Sequence, residues 1–138
     1  MEDMASDNAL VSRDKALLQV ERVLELLSKA YWAEGRPEDV VRKSIDNSIC
    51  FGVYVEGVQV GFARVITDYA TAYYICDVII SETYRGKGLG KKLIDTIVND
   101  DCLKSLFGIL ATRDAHGLYE KFGFGSNKTS FMCRRHKE

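Results

Sequence analysis

The run Ala72-Tyr73-Tyr74-Ile75-Cys76-Asp77-Val78-Ile79-Ile80 is rich in β-branched and aromatic residues and reads as a strand; shortly after it, Leu89, Leu93, Ile94, Ile97 and Val98 recur at helical spacing. A further apolar run from Ser105 to Ala111 reads as a second strand. Strand, helix and strand of this length form a β-α-β crossover, so the two strands are expected to be parallel and a ligand to lie beyond their carboxyl ends. The turn into the helix carries Arg85-Gly86-Lys87-Gly88-Leu89-Gly90. Its glycines let the backbone approach a ligand without interference from Cβ atoms, and the N–H groups of a helix start favour anionic oxygens. Arg85, Lys87, Lys91 and Lys92 add positive charge there. The segment is read as a cradle for a phosphorylated cofactor.

Spacing narrows the choice of cofactor. Starting from Gly86, the dinucleotide pattern G-x-G-x-x-G would need its third glycine at Lys91. The phosphate-loop pattern G-x-x-x-x-G-K-[ST] fails too, because Gly90-Lys91 is followed by Lys92 and the residue five before Gly90 is Arg85. What fits is R-x-x-G-x-G at Arg85, Gly88 and Gly90. This resembles the acetyl-CoA signature of the GNAT N-acetyltransferase superfamily. Leu118-Tyr119-Glu120-Lys121-Phe122-Gly123-Phe124 is similar to that family's L-Y-x-x-x-G-F segment. The two stretches cover the second half of the chain; the first half matches in its order of elements.

That order is legible throughout. From about Asp14 to Tyr31, Leu17, Val20, Leu24 and Leu27 mark one face of a helix. Gly35 ends it, and Pro37-Glu38-Asp39 opens a second helix with acidic residues in its first turn and Arg42-Lys43 towards its end. Ile49 to Val55 and Val58 to Ile66, around Glu56-Gly57, read as a β-hairpin. After the crossover, whose helix runs from Leu89 to about Asn99, a short helix from about Ala115 to Lys121 is stopped by Gly123, and Thr129 to Arg134 is expected to close the sheet. These elements make an α/β sandwich with a mixed sheet. The GNAT resemblance implies the same order, with a mostly antiparallel sheet in which one parallel strand pair splays apart around the pantetheine arm of acetyl-CoA.

At 138 residues the chain is expected to form a single domain, with residues 1–9, polar and acidic, loosely ordered or adding a strand. A net charge of −1 gives no electrostatic reason to expect nucleic acid or an anionic membrane as partner. Cys50, Cys76, Cys102 and Cys133 are widely spaced and show neither a metal nor a redox pattern, so they are read as buried free thiols of a cytoplasmic protein without a metal. No secretory or membrane-spanning segment is recognised, and a homodimer stays open.

The resemblance implies a reaction that moves an acetyl or other short acyl group from a CoA thioester to a primary amine. At neutral pH an alkylammonium must lose its proton first, at a cost of about 4–5 kcal/mol. Another group must assist the departing thiolate. The resemblance implies Tyr119 as that acid. It also implies that the backbone of Val78, Ile79 and Ile80 meets the pantetheine amides, and that the loop Arg85, Gly86, Lys87, Gly88, Leu89, Gly90 and Lys91 takes the pyrophosphate. Thr112 stands where family members usually carry an asparagine that contacts the pantetheine arm. Asp77, the one carboxylate in its apolar strand, is a candidate base; the alternative is that it pairs with an arginine such as Arg64 and water takes the proton. Tyr31, Trp32, Arg36 and Asp68-Tyr69 suit the rim of an acceptor cleft for a small-molecule or peptide amine, or a structural collar. A non-catalytic acyl-CoA sensor and a nucleotide-binding regulator are the rival functions.

Overall fold

The computed structural model describes residues 8–126 and 132–135. In chain order the elements are β1 (Leu10–Ser12), a 3-10 turn (Lys15–Leu17), α1 (Val20–Ser28), a second 3-10 turn (Tyr31–Ala33), α2 (Glu38–Asp46), β2 (Ile49–Val55) and β3 (Val58–Thr67). They continue with β4 (Ala72–Ile80), a third 3-10 turn (Glu82–Tyr84), α3 (Leu89–Val98), β5 (Phe107–Leu110) and α4 (His116–Glu120). The sheet has the order β1-β2-β3-β4-β5, with the first four strands antiparallel and β4 parallel to β5. It is the mixed sheet with one parallel pair that the sequence predicts.

The hairpin turns on Glu56 (φ 50°) and Gly57 (φ 79°), two positive-φ residues between the paired Val55 and Val58. Such a turn matches the twist of its strands. One sheet face buries Phe51, Val53, Val65, Tyr73 and Ile75 against Leu89, Leu93, Ile94 and Ile97 of α3. The other buries Cys50, Phe62 and Ile79 against Val23, Leu26 and Leu27 of α1 and Val41 and Ile45 of α2. Tyr119 brings α4 into the first cluster. Among the described residues no helix is long and apolar enough to cross a membrane.

Several boundaries depart from the periodicity. The helix expected over Asp14 to Tyr31 starts only at Val20. Gln59, fully buried, accepts a hydrogen bond from the Gln19 N–H at 2.9 Å, while the Gln19 side chain accepts one from the Gln59 N–H at 3.0 Å. Satisfying that buried amide outweighs one or two turns of helix propensity. Ala9 is 5% exposed, so the core begins before β1. Lys92, counted towards the cradle's charge, instead donates to the Ala9 carbonyl. Of the four thiols only Cys50 is buried; Cys76 is half-buried and Cys102 and Cys133 are exposed. In the expected closing strand, residues 129–131 lie outside the described residues, and Met132–Arg134 are not in a strand.

Candidate active site

β4 and β5 pair in register only from Ala72↔Phe107 to Ile75↔Leu110, so among the described residues the last five of β4 leave its outer edge without a strand partner. A β-bulge in the pairing with β3 accompanies the parting. Arg64 of β3 faces Cys76 and Phe62 faces Ile79, which leaves Asp77 and Val78 opposite Ala63 alone. Asp77 takes φ 57°, in the left-handed region that Asp tolerates better than most residues. The extra residue inverts the alternation. Tyr73 and Ile75 face α3, whereas Ile79 faces α1 and α2.

On that second face the Asp77 side chain is 2% exposed and bound by three donors. Trp32 Nε1 donates to Oδ1 at 3.2 Å, while Arg36 Nη1 and Arg64 Nε both donate to Oδ2 at 2.9 Å. Arg64 also donates to Ser48 Oγ at 3.1 Å. The pairing with Arg64 that the sequence offered as the alternative to a base is present, joined by two residues whose approach no local pattern signals. Burial pushes the Asp77 carboxyl upward, but the Arg36 and Arg64 hydrogen bonds and charges outweigh it and hold it below its ordinary value.

Because that carboxyl titrates lower folded than unfolded, ionised Asp77 stabilises the fold above the ordinary carboxylate range and the contribution fades as pH falls through the folded value. Asp77→Asn keeps the left-handed backbone preference but leaves two guanidinium groups uncompensated. Removing one partner of a buried pair costs about 3–5 kcal/mol, and the partial exposure of Arg36 and Arg64 favours the lower figure. The melting temperature at pH 7 should fall by about 10 °C, with less further loss below about pH 4 than in wild type. Equal melting curves at both pH values would show that the network does not hold the fold.

At the carboxyl end of β4 lies the cradle. Gly86 (φ 78°) and Gly88 (φ 82°) bend the chain, and Gly88 caps α3 in the left-handed conformation. The Leu89 side chain is buried in the core, so only its backbone can serve a ligand; Lys91 is exposed and Lys87 half-buried. Arg85 folds back so that its Nε donates to the Ile80 carbonyl at 3.0 Å, which engages one backbone group of the splayed stretch. A groove of about 410 Å³ runs beside this end of β4, lined by Glu25 and Leu26 of α1, by Lys29 just past its end, and by Ile79 to Thr83 and Arg85. Lys29 has no signal in the sequence beyond its place at a helix end.

Leu118 brings α4 to the cradle: a Cβ at Gly90 would stand 3.9 Å from Leu118 Cδ2 and 4.0 Å from Ile80 Cγ1. The next residue, Tyr119, is 8% exposed and meets Phe124 edge to face, ring centroids 6.1 Å apart. Burial, helped by the charge of Asp114, raises its phenol above the ordinary value. Thr112 Oγ1 accepts from the Ala115 N–H at 3.0 Å and so shapes the approach to α4. Tyr31, Trp32 and Arg36 stand beside Asp77, but Asp68-Tyr69 does not join them. That loop precedes β4 and Tyr69 lines a separate hollow with Lys15 and Asp46, about 25 Å of strand away from the cradle. Asp68 instead braces its own loop. Its carboxylate accepts from the N–H groups of Ala70, Thr71 and Ala72 and from the Thr71 hydroxyl, which holds its pKa well below the usual range.

Residues 20–124 match the model of the acetyltransferase (GNAT) family. A Gibberella zeae protein named as an acetyltransferase is 34% identical over 108 residues, 64% of this chain; the match spans 61% of that relative's length. A crystal structure of a GNAT-family protein from Xanthomonas campestris pv. campestris superposes with a TM-score of 0.88 at 42% identity, covering 93% of both chains. A GNAT-family acetyltransferase structure from Streptococcus pneumoniae TIGR4 has a TM-score of 0.74 at 20% identity, over 94% of this chain and 98% of its own, a likeness of fold.

Proposed function

This chain belongs to the acetyltransferase (GNAT) family, and we propose that it transfers an acetyl group from acetyl-CoA to a primary amine of a small molecule or peptide, by direct attack with both substrates bound. The observation that carries the cofactor assignment is Gly90. Its φ is not among the positive ones, and the neighbours of an added Cβ would sit at ordinary contact distances, so neither backbone nor packing demands glycine there. Glycine within a helix costs about 0.5–1 kcal/mol relative to alanine. A ligand that comes closer to the helix start than a methyl group allows explains the cost. The N–H groups of Leu89, Gly90 and Lys91, which a helix leaves without internal partners, would hold the pyrophosphate with Arg85, Gly86, Lys87 and Gly88 around it. The edge of Val78, Ile79 and Ile80 would take the pantetheine amides, with Thr112 on the side of β5.

Bound acetyl-CoA supplies an activated thioester. The chain itself must orient the amine, provide for removal of its proton and assist the leaving sulfur. Tyr119, kept protonated by burial, suits the last of these roles. Asp77 is a poor base: both its oxygens accept hydrogen bonds from cations or Trp32 and it titrates below the usual range. We assign the proton to water and give Asp77 the role of holding Trp32, Arg36 and Arg64 beside the parting strands. Burial pushes the Cys50 and Cys76 thiols up to about 11, so neither is a thiolate at neutral pH and neither enters the scheme as a nucleophile.

Release of free CoA thiol from acetyl-CoA, followed across an amine panel, tests this reading. Amine-dependent release is expected. A protein that binds acetyl-CoA and releases no thiol above the blank is a sensor, and the catalytic reading fails.

A further inference from the structure

Where β4 and β5 part, the rim on the side of α1 and α2 is built from cations and rings. Arg113, three residues beyond the end of β5, lays its guanidinium over the Tyr31 ring at 3.8 Å from the centroid. Tyr31 meets Trp32 edge to face at 5.1 Å, and Trp32 donates to Asp77, which also holds Arg36 and Arg64. The groups form one chain of contacts that runs through the buried Asp77 carboxylate. Three guanidinium groups against the carboxylates of Asp77 and Asp114 leave it one positive charge in excess. Both Asp77 oxygens are engaged, and among the described residues Arg113 has no carboxylate partner. Its neighbour Asp114 exerts its charge on Tyr119.

A guanidinium held over a ring leaves its planar fork of N–H donors available to a carboxylate or phosphate, which it grips with two parallel hydrogen bonds. Among the described residues the surface keeps one exposed carboxylate, Asp114, and its net positive charge disfavours polyamines and lysine-rich peptides. Resting on the acetyltransferase reading above, we propose that the acceptor is a small amine that also carries an anionic group, carboxylate or phosphate, and that Arg113 with Arg36 recognises that group.

Calorimetry of the protein saturated with CoA tests this without requiring turnover. Matched pairs are titrated in, O-phosphoethanolamine against ethanolamine and β-alanine against propylamine, with spermidine as the cationic extreme. The anionic member of at least one pair should bind about tenfold or more tighter, and the pair that shows the larger ratio identifies the anion. Arg113→Gln should reduce that ratio to about threefold or less, and Arg113→Lys, which keeps the charge but not the planar fork, should restore only part of it. Equal or undetectable binding of the anionic members, tighter binding of spermidine, or a ratio unchanged in Arg113→Gln overturns the inference. Failure of the parent reading looks different: there the wild-type protein does not bind acetyl-CoA at all.

Discussion

Replacing Tyr119 with phenylalanine is expected to lower turnover by about a hundredfold to a thousandfold while stability and acetyl-CoA affinity change little. The ring and its edge-to-face contact with Phe124 are retained, so the core around α4 keeps its packing. What is lost is the hydroxyl that donates to the departing sulfur. General acids typically contribute about 10²- to 10⁴-fold. Here burial raises the phenol above its ordinary value of about 10, whereas a thiol titrates near 8.5, so complete proton transfer is uphill and the lower part of that range applies. A Tyr119→Phe protein with wild-type turnover, under conditions where chemistry limits the rate, would make Tyr119 a core aromatic and let the thiolate leave unaided.

Gly88→Val is expected to abolish measurable acetyl-CoA binding. At φ 82° a β-branched residue is strained, a penalty of about 1–2 kcal/mol or more, and its side chain would enter the space at the start of α3 where the N–H groups lie. Several charge-assisted hydrogen bonds of about 1.5–3 kcal/mol each depend on that space. Gly90→Ala separates ligand from fold more cleanly. Alanine should raise stability by up to about 1 kcal/mol, since its methyl fits beside Leu118 and Ile80, yet weaken acetyl-CoA binding. Calorimetry alongside thermal melts reads both. Equal affinity in wild type and Gly88→Val would move the pyrophosphate elsewhere.

The crossover from β4 through the cradle to α3 and β5 is legible in the sequence because each of its signals is local: a β-branched run, glycines at a turn, and Leu89, Leu93, Ile94 and Ile97 at helical spacing, all buried as that spacing requires. The parallel pairing follows from connection length. What stays hidden depends on contacts distant in sequence. Strand alternation puts Asp77 on the same face as Tyr73 and Ile75; the bulge reverses this, and only opposite Ala63 does the extra residue become visible. The meeting of Trp32, Arg36 and Arg64 on one carboxylate joins segments up to 45 residues apart; strand neighbourhood suggests Arg64, but nothing local links Trp32 and Arg36 to it. The late start of α1 has the same origin, since Gln59 looks like an ordinary strand residue until its buried amide is seen holding Gln19. For Asp68-Tyr69 the reason is simpler: a loop's composition does not tell which end of the sheet it occupies.

In the proposed reaction, acetyl-CoA bound at Arg85 to Gly90 delivers its acetyl group to an amine held beside Tyr119. Mass spectrometry after incubation with trideuteroacetyl-CoA and the amine panel tests that transfer most directly. One trideuteroacetyl group is expected on an amine, appearing in step with free CoA, greatly slowed in Tyr119→Phe and absent in Gly88→Val. Label found on the protein alone, or CoA released with no acylated amine from any member of the panel, would contradict it.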